Sequence, residues 1–110
     1  MATRSVNDKL VTKTAVVNPS TATDTAVVAA ITGKVIRVHA VTIVTTLANS
    51  VSFKSATTAI SAVSPLAANG GMVLPFNEAG WFKTVAGEAL NFTTTVATAC
   101  GCTVVYSEEQ

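Results

Sequence analysis

The chain has 110 residues, a formal net charge of +1, 12% charged residues and 49% apolar residues. This length predicts a single domain that folds without a metal or a disulfide scaffold. The scattered and balanced charges exclude nucleic-acid or anionic-membrane binding driven by electrostatic attraction, because such binding needs a clustered basic surface.

The charged fraction is about half of the roughly 25% that is usual in soluble domains. The apolar residues are mostly Ala and Val, and Thr is abundant. Because exposed apolar patches are costly in water, this composition favours a surface that meets other protein, as in a homo-oligomer or a lattice component. The alternative is a monomer coated with neutral Thr and Ser side chains.

The sequence contains no candidate transmembrane or secretory segment. No apolar run approaches the ~18 residues that a membrane-spanning helix needs. The first ten residues, MATRSVNDKL, lack the apolar region of a secretory signal. We therefore expect no membrane partner and no secretory export.

Residues 1–23 differ from the rest of the chain, because small and polar residues predominate and the segment ends in NPSTAT. Asn18-Pro19 is a turn signal. Residues 10–17 alternate weakly and predict one edge strand. Residues 1–6 fit either a frayed terminus or an arm that lies on a neighbouring subunit. We assign residues 1–23 to an N-terminal arm with a possible edge strand, and residues 24–110 to the folded domain.

Two β-branched runs on either side of Gly33-Lys34 indicate the next strands. They cover residues 25–32 (TAVVAAIT) and residues 35–46 (VIRVHAVTIVTT). A two-residue turn that contains Gly predicts that these strands form a β-hairpin. Strict alternation along the second strand places Ile36, Val38, Ala40 and Val44 on one face, and Arg37, His39, Val41 and Ile43 on the other.

Short alternating segments continue between Gly, Pro and Asn turns through the rest of the chain. Val51 and Phe53 are predicted to face inward, and Leu90 and Phe92 alternate with polar neighbours in the same way. No segment has a convincing helical period. We predict an all-β chain that forms a single sandwich of about eight antiparallel strands; strand spacing alone does not separate the possible topologies.

The two cysteines and the single histidine are the first residues to test for chemistry. Cys100 and Cys102 would share one face of a strand, but a zinc site needs about four ligands and a redox pair is normally Cys-x-x-Cys. We interpret them as packed free thiols, with disulfide or metal chemistry as the alternative. His39 has no partner nucleophile in the sequence pattern, so we interpret it as a strand-surface or interface residue rather than a general base.

Two glutamates flank the predicted strand that contains Trp81. Glu78 and Glu88 could meet at one end of the sandwich, and glycosidases use two carboxylates about 5–10 Å apart. Such enzymes also need a sugar platform of several aromatic residues, whereas this segment has only Trp81 nearby. We therefore predict no enzyme activity, no cofactor and no metal.

The aromatic pair Trp81-Phe82 is a candidate contact site. In a strand the two side chains point to opposite faces, so one is expected to enter the core and the other to face outward. Sequence alone does not decide which one is exposed. An outward aromatic side chain on a sparsely charged domain is a plausible anchor for a partner.

Most of the chain carries a family resemblance. It lies in AVVAAITGKVIRVHAV and VSFKSATTAIS, and above all in LAANGGMVLPFNEAGWFKTVAGEALN followed by the final strand TVVY. The segment from Thr25 to Tyr106 resembles the small jelly-roll head decoration, or cement, proteins of tailed bacteriophages. The resemblance implies a jelly-roll-like, non-enzymatic virion structural protein that binds the outer capsid surface as a homotrimer.

The same resemblance implies the major capsid protein and other copies of the chain as partners, with no nucleic acid. It places the protein on the capsid surface of the virion after synthesis in the host cytoplasm. Six residues are candidate subunit or capsid contacts: Arg4, Leu10, Val11, His39, Trp81 and Phe82. The alternative is a receptor- or glycan-binding sandwich of a phage tail fibre or adhesin, in which Trp81 stacks on a sugar.

Overall fold

The computed structural model describes residues 11–110, so Arg4 and Leu10 lie outside the described residues. Within that range there are ten strands and no helix. The strands are β1 (Lys13–Val17), β2 (Asp24–Val28), β3 (Val35–Thr45), β4 (Asn49–Ser55), β5 (Thr58–Ala59), β6 (Ser64–Leu66), β7 (Gly71–Leu74), β8 (Phe82–Lys83), β9 (Leu90–Thr94) and β10 (Cys100–Glu109).

The strands form two antiparallel sheets that enclose one core, which confirms the predicted all-β sandwich. Sheet A has the order β1-β10-β3-β7, and sheet B has the order β2-β9-β4-β5. β8 also pairs with β3, and β6 also pairs with β4. β7 and β8 therefore lie one after the other along the same edge of β3, and β5 and β6 lie in the same way along β4. Four positions in each sheet give the strand number of a jelly roll, as predicted.

The hairpin predicted around Gly33-Lys34 is wrong. β2 pairs with β9 in sheet B, whereas β3 pairs with β10, β7 and β8 in sheet A. Residues 29–34 carry the chain from one sheet to the other through a turn in which the Lys34 N–H donates to the Ile31 carbonyl at 3.0 Å. Gly33 has a positive φ of 74°. A glycine turn reverses the chain, but it does not determine the sheet in which the next strand finds its partners.

β3 contains a one-residue bulge that changes which of its residues face the core. Val38 pairs with Tyr106, but Ala40 pairs with the adjacent Val105, so His39 is the extra residue. A bulge shifts the alternation by one position. The strict alternation predicted for β3 is therefore wrong beyond the bulge, and the apolar core face consists of Ile36, Val38, Val41 and Ile43.

The core lies between the sheets and comes from the inward residues of the long strands. Val51 and Phe53 face inward as predicted, and Leu90 and Phe92 are fully buried. The Phe53 ring centroid lies 5.2 Å from that of Phe92. Burial of each such side chain contributes roughly 1.5–3 kcal/mol of stabilisation.

β1 is the edge strand predicted within residues 10–17. Among the described strands it pairs only with β10, from Lys13 opposite Tyr106 to Val17 opposite Cys102. Residues 13–17 are therefore a part of sheet A, although the sequence groups them with the N-terminal segment. The Lys13 ammonium also forms an ion pair of 3.1 Å with Glu108.

Candidate functional site

The outer face of sheet A carries a continuous row of uncharged side chains that crosses four strands. Val16 of β1 pairs with Thr103, which pairs with Thr42, which in turn pairs with Val73. Neighbouring outward positions are also uncharged. We call the following set the Thr/Val face: Thr14, Val16, Ala40, Thr42, Val44, Val73, Thr103 and Val105.

The Thr/Val face leaves large apolar side chains in water. Val16, Val44 and Val73 are 60%, 58% and 65% exposed. Covering such surface is favourable by about 25 cal/mol per Å² of apolar area. Since no residue of the face is charged, a partner would cover it without desolvating an ion.

One end of the sandwich, which we call the uncharged end, continues this surface. It consists of the loops 18–23, 46–48, 67–70 and 95–99, which contain no Asp, Glu, Lys, Arg or His. Hydrogen bonds join the loops: the Thr46 N–H donates to Ala99, the Asn69 N–H to Thr46 and the Cys100 N–H to Pro19. Leu47 and Val96 are exposed at this end.

The Asn49 side chain holds one loop of the uncharged end in place. Its Oδ1 accepts from the N–H groups of Thr95 and Val96, each at 3.1 Å, and its Nδ2 donates to the Val96 carbonyl at 3.3 Å. Asn49 is itself buried. The loop that presents Val96 is therefore tied to the start of β4.

Charged residues lie beyond the bulge of β3, at the far side of the Thr/Val face. Arg37 Nε donates to Glu109 at 3.0 Å, and its Nη1 donates to the Ala79 carbonyl at 2.8 Å. The Lys13–Glu108 pair lies on the same part of sheet A. Sheet A thus has charged residues at one end and uncharged residues at the other. A partner that avoids ions would therefore bind at the uncharged end.

The loop between β7 and β8 folds over the bulge. The Asn77 N–H donates to the His39 carbonyl at 2.9 Å, and the Trp81 N–H donates to the Val38 carbonyl at 2.8 Å. The Phe76 ring stacks on the His39 imidazole with centroids 5.5 Å apart. This loop therefore borders the Thr/Val face at a fixed position.

His39 is fully buried, so its predicted place on the strand surface or in an interface is wrong. Its Nδ1 lies 2.8 Å from the Asn77 carbonyl oxygen, which can only accept, so Nδ1 carries the hydrogen. Nε2 then accepts from the Ser107 hydroxyl at 2.7 Å. With both nitrogens bonded inside the protein, His39 anchors the loop.

Trp81 is the outward member of the aromatic pair. It is 43% exposed, whereas Phe82 packs against the core with its ring centroid 5.1 Å from that of Phe53. The indole Nε1–H of Trp81 donates to the Pro75 carbonyl at 2.8 Å, which fixes the ring on the loop. Val11, another predicted contact residue, is also exposed.

Glu78 and Glu88, which flank β8, lie in turns that are bonded to different positions along the chain around β3. The residues beside them, Asn77 and Gly87, bond to the carbonyls of His39 and Lys34. At about 3.3 Å per residue these carbonyls are roughly 15 Å apart along the chain, so the two turns lie beside different parts of it. Glu88 accepts a hydrogen bond of 2.6 Å from the Ser55 hydroxyl, so this carboxylate holds its turn against β4.

Cys100 and Cys102 are buried free thiols on the inward face of β10, as the sequence predicted. Burial, with a smaller effect from the neighbouring Cys100, raises the pKa of the Cys102 thiol to about 12. Burial also raises the pKa of Cys100. A thiol that stays protonated is a poor nucleophile and a poor metal ligand. Among residues 11–110, no three His, Cys, Asp or Glu residues are grouped to hold a metal ion.

A cleft of about 150 Å³ opens between the sheets on the side of β6 and β7. Its apolar lining comes from Ile43, Val51, Phe53, Met72, Leu74 and Phe82. Sequence reasoning missed this cleft, because its walls come from five strands and depend on how those strands pair. The Thr/Val face was missed for the same reason; only the low charge of the whole chain pointed to a surface of this kind.

The part of the chain that the structure covers has no helix of the length and hydrophobicity that a membrane crossing requires. Comparisons of the chain with protein families, with curated proteins and with solved structures found no match. A proposal for the function therefore depends on the chemistry of this chain's own surfaces and on its sequence.

Proposed function

We propose that the protein is a non-enzymatic virion structural protein, a capsid decoration or cement protein that binds the outer capsid surface as a homotrimer and stabilises the head. The observation that carries the proposal is the exposed, uncharged Thr/Val face of sheet A. Large exposed apolar surfaces on soluble domains are typical of protein contact sites. The sequence resemblance to decoration proteins supports the same role.

Two adjoining uncharged surfaces suit a protein that contacts both its own copies and a lattice. In this proposal the Thr/Val face contacts the next subunit, and the uncharged end meets the major capsid protein. A head-to-tail contact that closes into a ring produces a symmetric trimer, which matches a threefold position of a lattice. Three weak contacts made together bind far more tightly than one, because the second and third are intramolecular.

The first test is the solution mass, measured by light scattering on a size-exclusion column. We expect a mass of three times 11.2 kDa for the unmodified protein. Thr42→Lys places a charge at the centre of the Thr/Val face and is expected to shift the mass towards that of a monomer. Thr58→Lys, at an exposed position on β5 of sheet B, is the matched control and should remain trimeric.

Capsid binding is tested by co-sedimentation with phage capsids that lack their decoration protein. The unmodified protein is expected to sediment with the capsids, and Leu47→Lys, in the uncharged end, to do so less. A stable monomer that does not bind any such capsid would contradict the proposal.

A receptor- or glycan-binding module of a tail fibre or adhesin is the second candidate, and the exposed, fixed indole of Trp81 favours it. An indole held at the surface can stack on a sugar ring. A glycan array separates the two candidates, with Trp81→Ala as the variant that should lose any signal. Silence on the array together with capsid binding would count against this second role.

A further inference from the structure

We propose that the cleft between the two sheets is a binding site for a small, uncharged, apolar molecule of about the size of one aromatic ring. The cleft lies between β6 and β7, inside the sandwich, whereas the Thr/Val face lies on the outside of sheet A. This proposal does not rest on the function proposed above.

The two walls of the cleft are held in different sheets, so the cleft is formed before any ligand arrives. Met72 and Leu74 of β7 pair with Ile43 and Val41 of β3. On the opposite wall, Ser64 of β6 pairs with Val51 of β4. Each ladder holds its wall within its own sheet, and the core side chains packed between the sheets keep the two walls apart. A preformed site loses less free energy to ordering when it binds a ligand.

The turn between β6 and β7 also fixes the width of the cleft. The Thr45 N–H donates to the Gly70 carbonyl at 2.9 Å, and the Asn69 N–H donates to the Thr46 carbonyl at 3.1 Å. Gly71 lies so close to β3 that an added Cβ would stand 2.0 Å from the Ile43 carbonyl oxygen. The β7 end of the turn is therefore bonded and pressed to β3, whereas at its β6 end Leu66 pairs with Asn49 of β4 in the other sheet.

The lining selects an apolar ligand. Phe53 and Phe82 meet with ring centroids 5.1 Å apart, and Met72 adds a side chain that adapts readily to the shape of a ligand. No charged residue lines the cleft, so an ion would lose its hydration without compensation. A cavity of roughly 150 Å³ lined by aliphatic and aromatic side chains holds one molecule of the size of benzene.

Ser61, one of the three serines in the lining, does not demand a polar ligand. The Ser61 hydroxyl accepts from the Phe53 N–H at 2.8 Å and donates to the Ala62 carbonyl at 3.3 Å. It therefore already bonds within the protein as both donor and acceptor. Seven of the ten lining residues are apolar, so the ligand class that fits is an aromatic ring or a branched alkyl group without charge.

The segment between β5 and β6 supplies an accessible rim for the site. Ala62 lines the cleft and is itself exposed, and the adjacent Val63 is exposed but does not line it. These two neighbours provide a matched pair of positions. Phenylalanine at Ala62 would place a ring at the mouth of the cleft, whereas phenylalanine at Val63 would leave the cleft free.

The test is a titration with toluene, followed by NMR of ¹³C-labelled methyl groups in the full chain. We expect saturable shifts for the methyl groups of Ile43, Met72 and Leu74, and no comparable shift for Val16 and Val44 on the Thr/Val face. Ala62→Phe is expected to abolish the saturable shifts. Val63→Phe should keep the toluene affinity within about twofold, as expected for a change outside the site.

Ser64→Leu fills the cleft from the β6 wall and is the second blocking variant, and cooperative unfolding in urea verifies that each variant is folded. The proposal is overturned if toluene causes no saturable shift in the unmodified protein. It is equally overturned if folded variants with a filled cleft bind toluene as well as the unmodified protein does.

Discussion

At the scale of single residues, Gly71 shows how a missing side chain positions a strand. Its φ is not in the left-handed region, so the requirement for glycine comes from space. An added Cβ would lie 2.0 Å from the Ile43 carbonyl oxygen and 3.1 Å from the Val44 Cα. These are backbone atoms of β3, which cannot rotate away as a side chain would. Only glycine allows β7 to start this close to β3.

Gly71→Ala is therefore expected to destabilise the protein by at least about 2 kcal/mol, the range of substitutions that force the backbone to move. Urea unfolding followed by Trp81 fluorescence measures the change. Gly33→Ala is the comparison, because Gly33 has a positive φ of 74° but no atom within 4 Å of an added Cβ. We expect it to cost about 1 kcal/mol. Equal losses in the two variants would contradict the steric explanation.

Burial of individual residues could be predicted from the sequence where a strand alternates regularly. Phe53 and Phe92 face inward because their strands alternate regularly around both positions. His39 could not be predicted, because its burial depends on a bulge in β3 and on a loop that arrives from residues 75–80. The sequence did not decide which of Trp81 and Phe82 is exposed, because a strand of two residues is too short to show a pattern of alternation.

At the scale of strands, the outer face of sheet B is crossed by one polar network. The Asp24 carboxylate on β2 accepts a hydrogen bond of 2.7 Å from the Thr93 hydroxyl on β9, and it also contacts the Lys54 ammonium on β4 at 3.3 Å. The Thr93 hydrogen bond lowers the pKa of Asp24 most, and the Lys54 hydrogen bond and charge lower it further, against the opposite effect of burial.

Because the pKa of folded Asp24 lies below its ordinary value of 3.8, the network stabilises the protein above that pH. The contribution is lost as the pH falls through the lowered pKa. Since both charged groups are partly exposed, we expect it to be below about 1 kcal/mol.

Thr93→Val is expected to raise the pKa of Asp24 more than Lys54→Met does. The measurement is a ¹³C NMR titration of the Asp24 carboxyl group. Thr42→Val, on the outer face of sheet A, should leave the titration unchanged. A larger rise of the Asp24 pKa in the Lys54 variant would show that the Lys54 charge, rather than the Thr93 hydroxyl, has the larger effect on this pKa.

Strand existence could be predicted at this scale, but strand pairing could not. The runs that became β2 and β3 were found from their β-branched residues, yet they belong to different sheets. Their apolar pattern fits either arrangement, since both strands bury a face in the same core. The cleft and the Thr/Val face are products of pairing, and for this reason the residues that form them could not be grouped from the sequence.

At the scale of the whole molecule, β10 is the strand that joins β1 to the rest of sheet A. This strand lies between β1 and β3, although β1 is the first described strand and β10 is the last. Val104 faces inward and is fully buried, while its neighbour Val105 faces outward on the Thr/Val face. Contacts between such distant parts of a chain make folding slow, in the range of about milliseconds to seconds.

Val104→Asp is expected to abolish cooperative folding, because it buries an unpaired charge in the centre of the core. Thr103→Asp, at the adjacent outward position, should keep the fold. Circular dichroism with urea denaturation separates the two results. A cooperative transition in the Val104 variant would show that sheet A tolerates the disruption of its central pair of strands.

The position of β10 also has a consequence during protein synthesis. On the ribosome, β1 and β3 are made before the strand that joins them, so both wait with a free edge towards the place that β10 will fill. Free strand edges of apolar sequence pair readily with other chains. Sheet A of the nascent domain therefore cannot close until β10 has been made. Where many copies are made at once, neighbouring nascent chains compete with β10 for those edges, and a chaperone that covers them would raise the yield of folded protein.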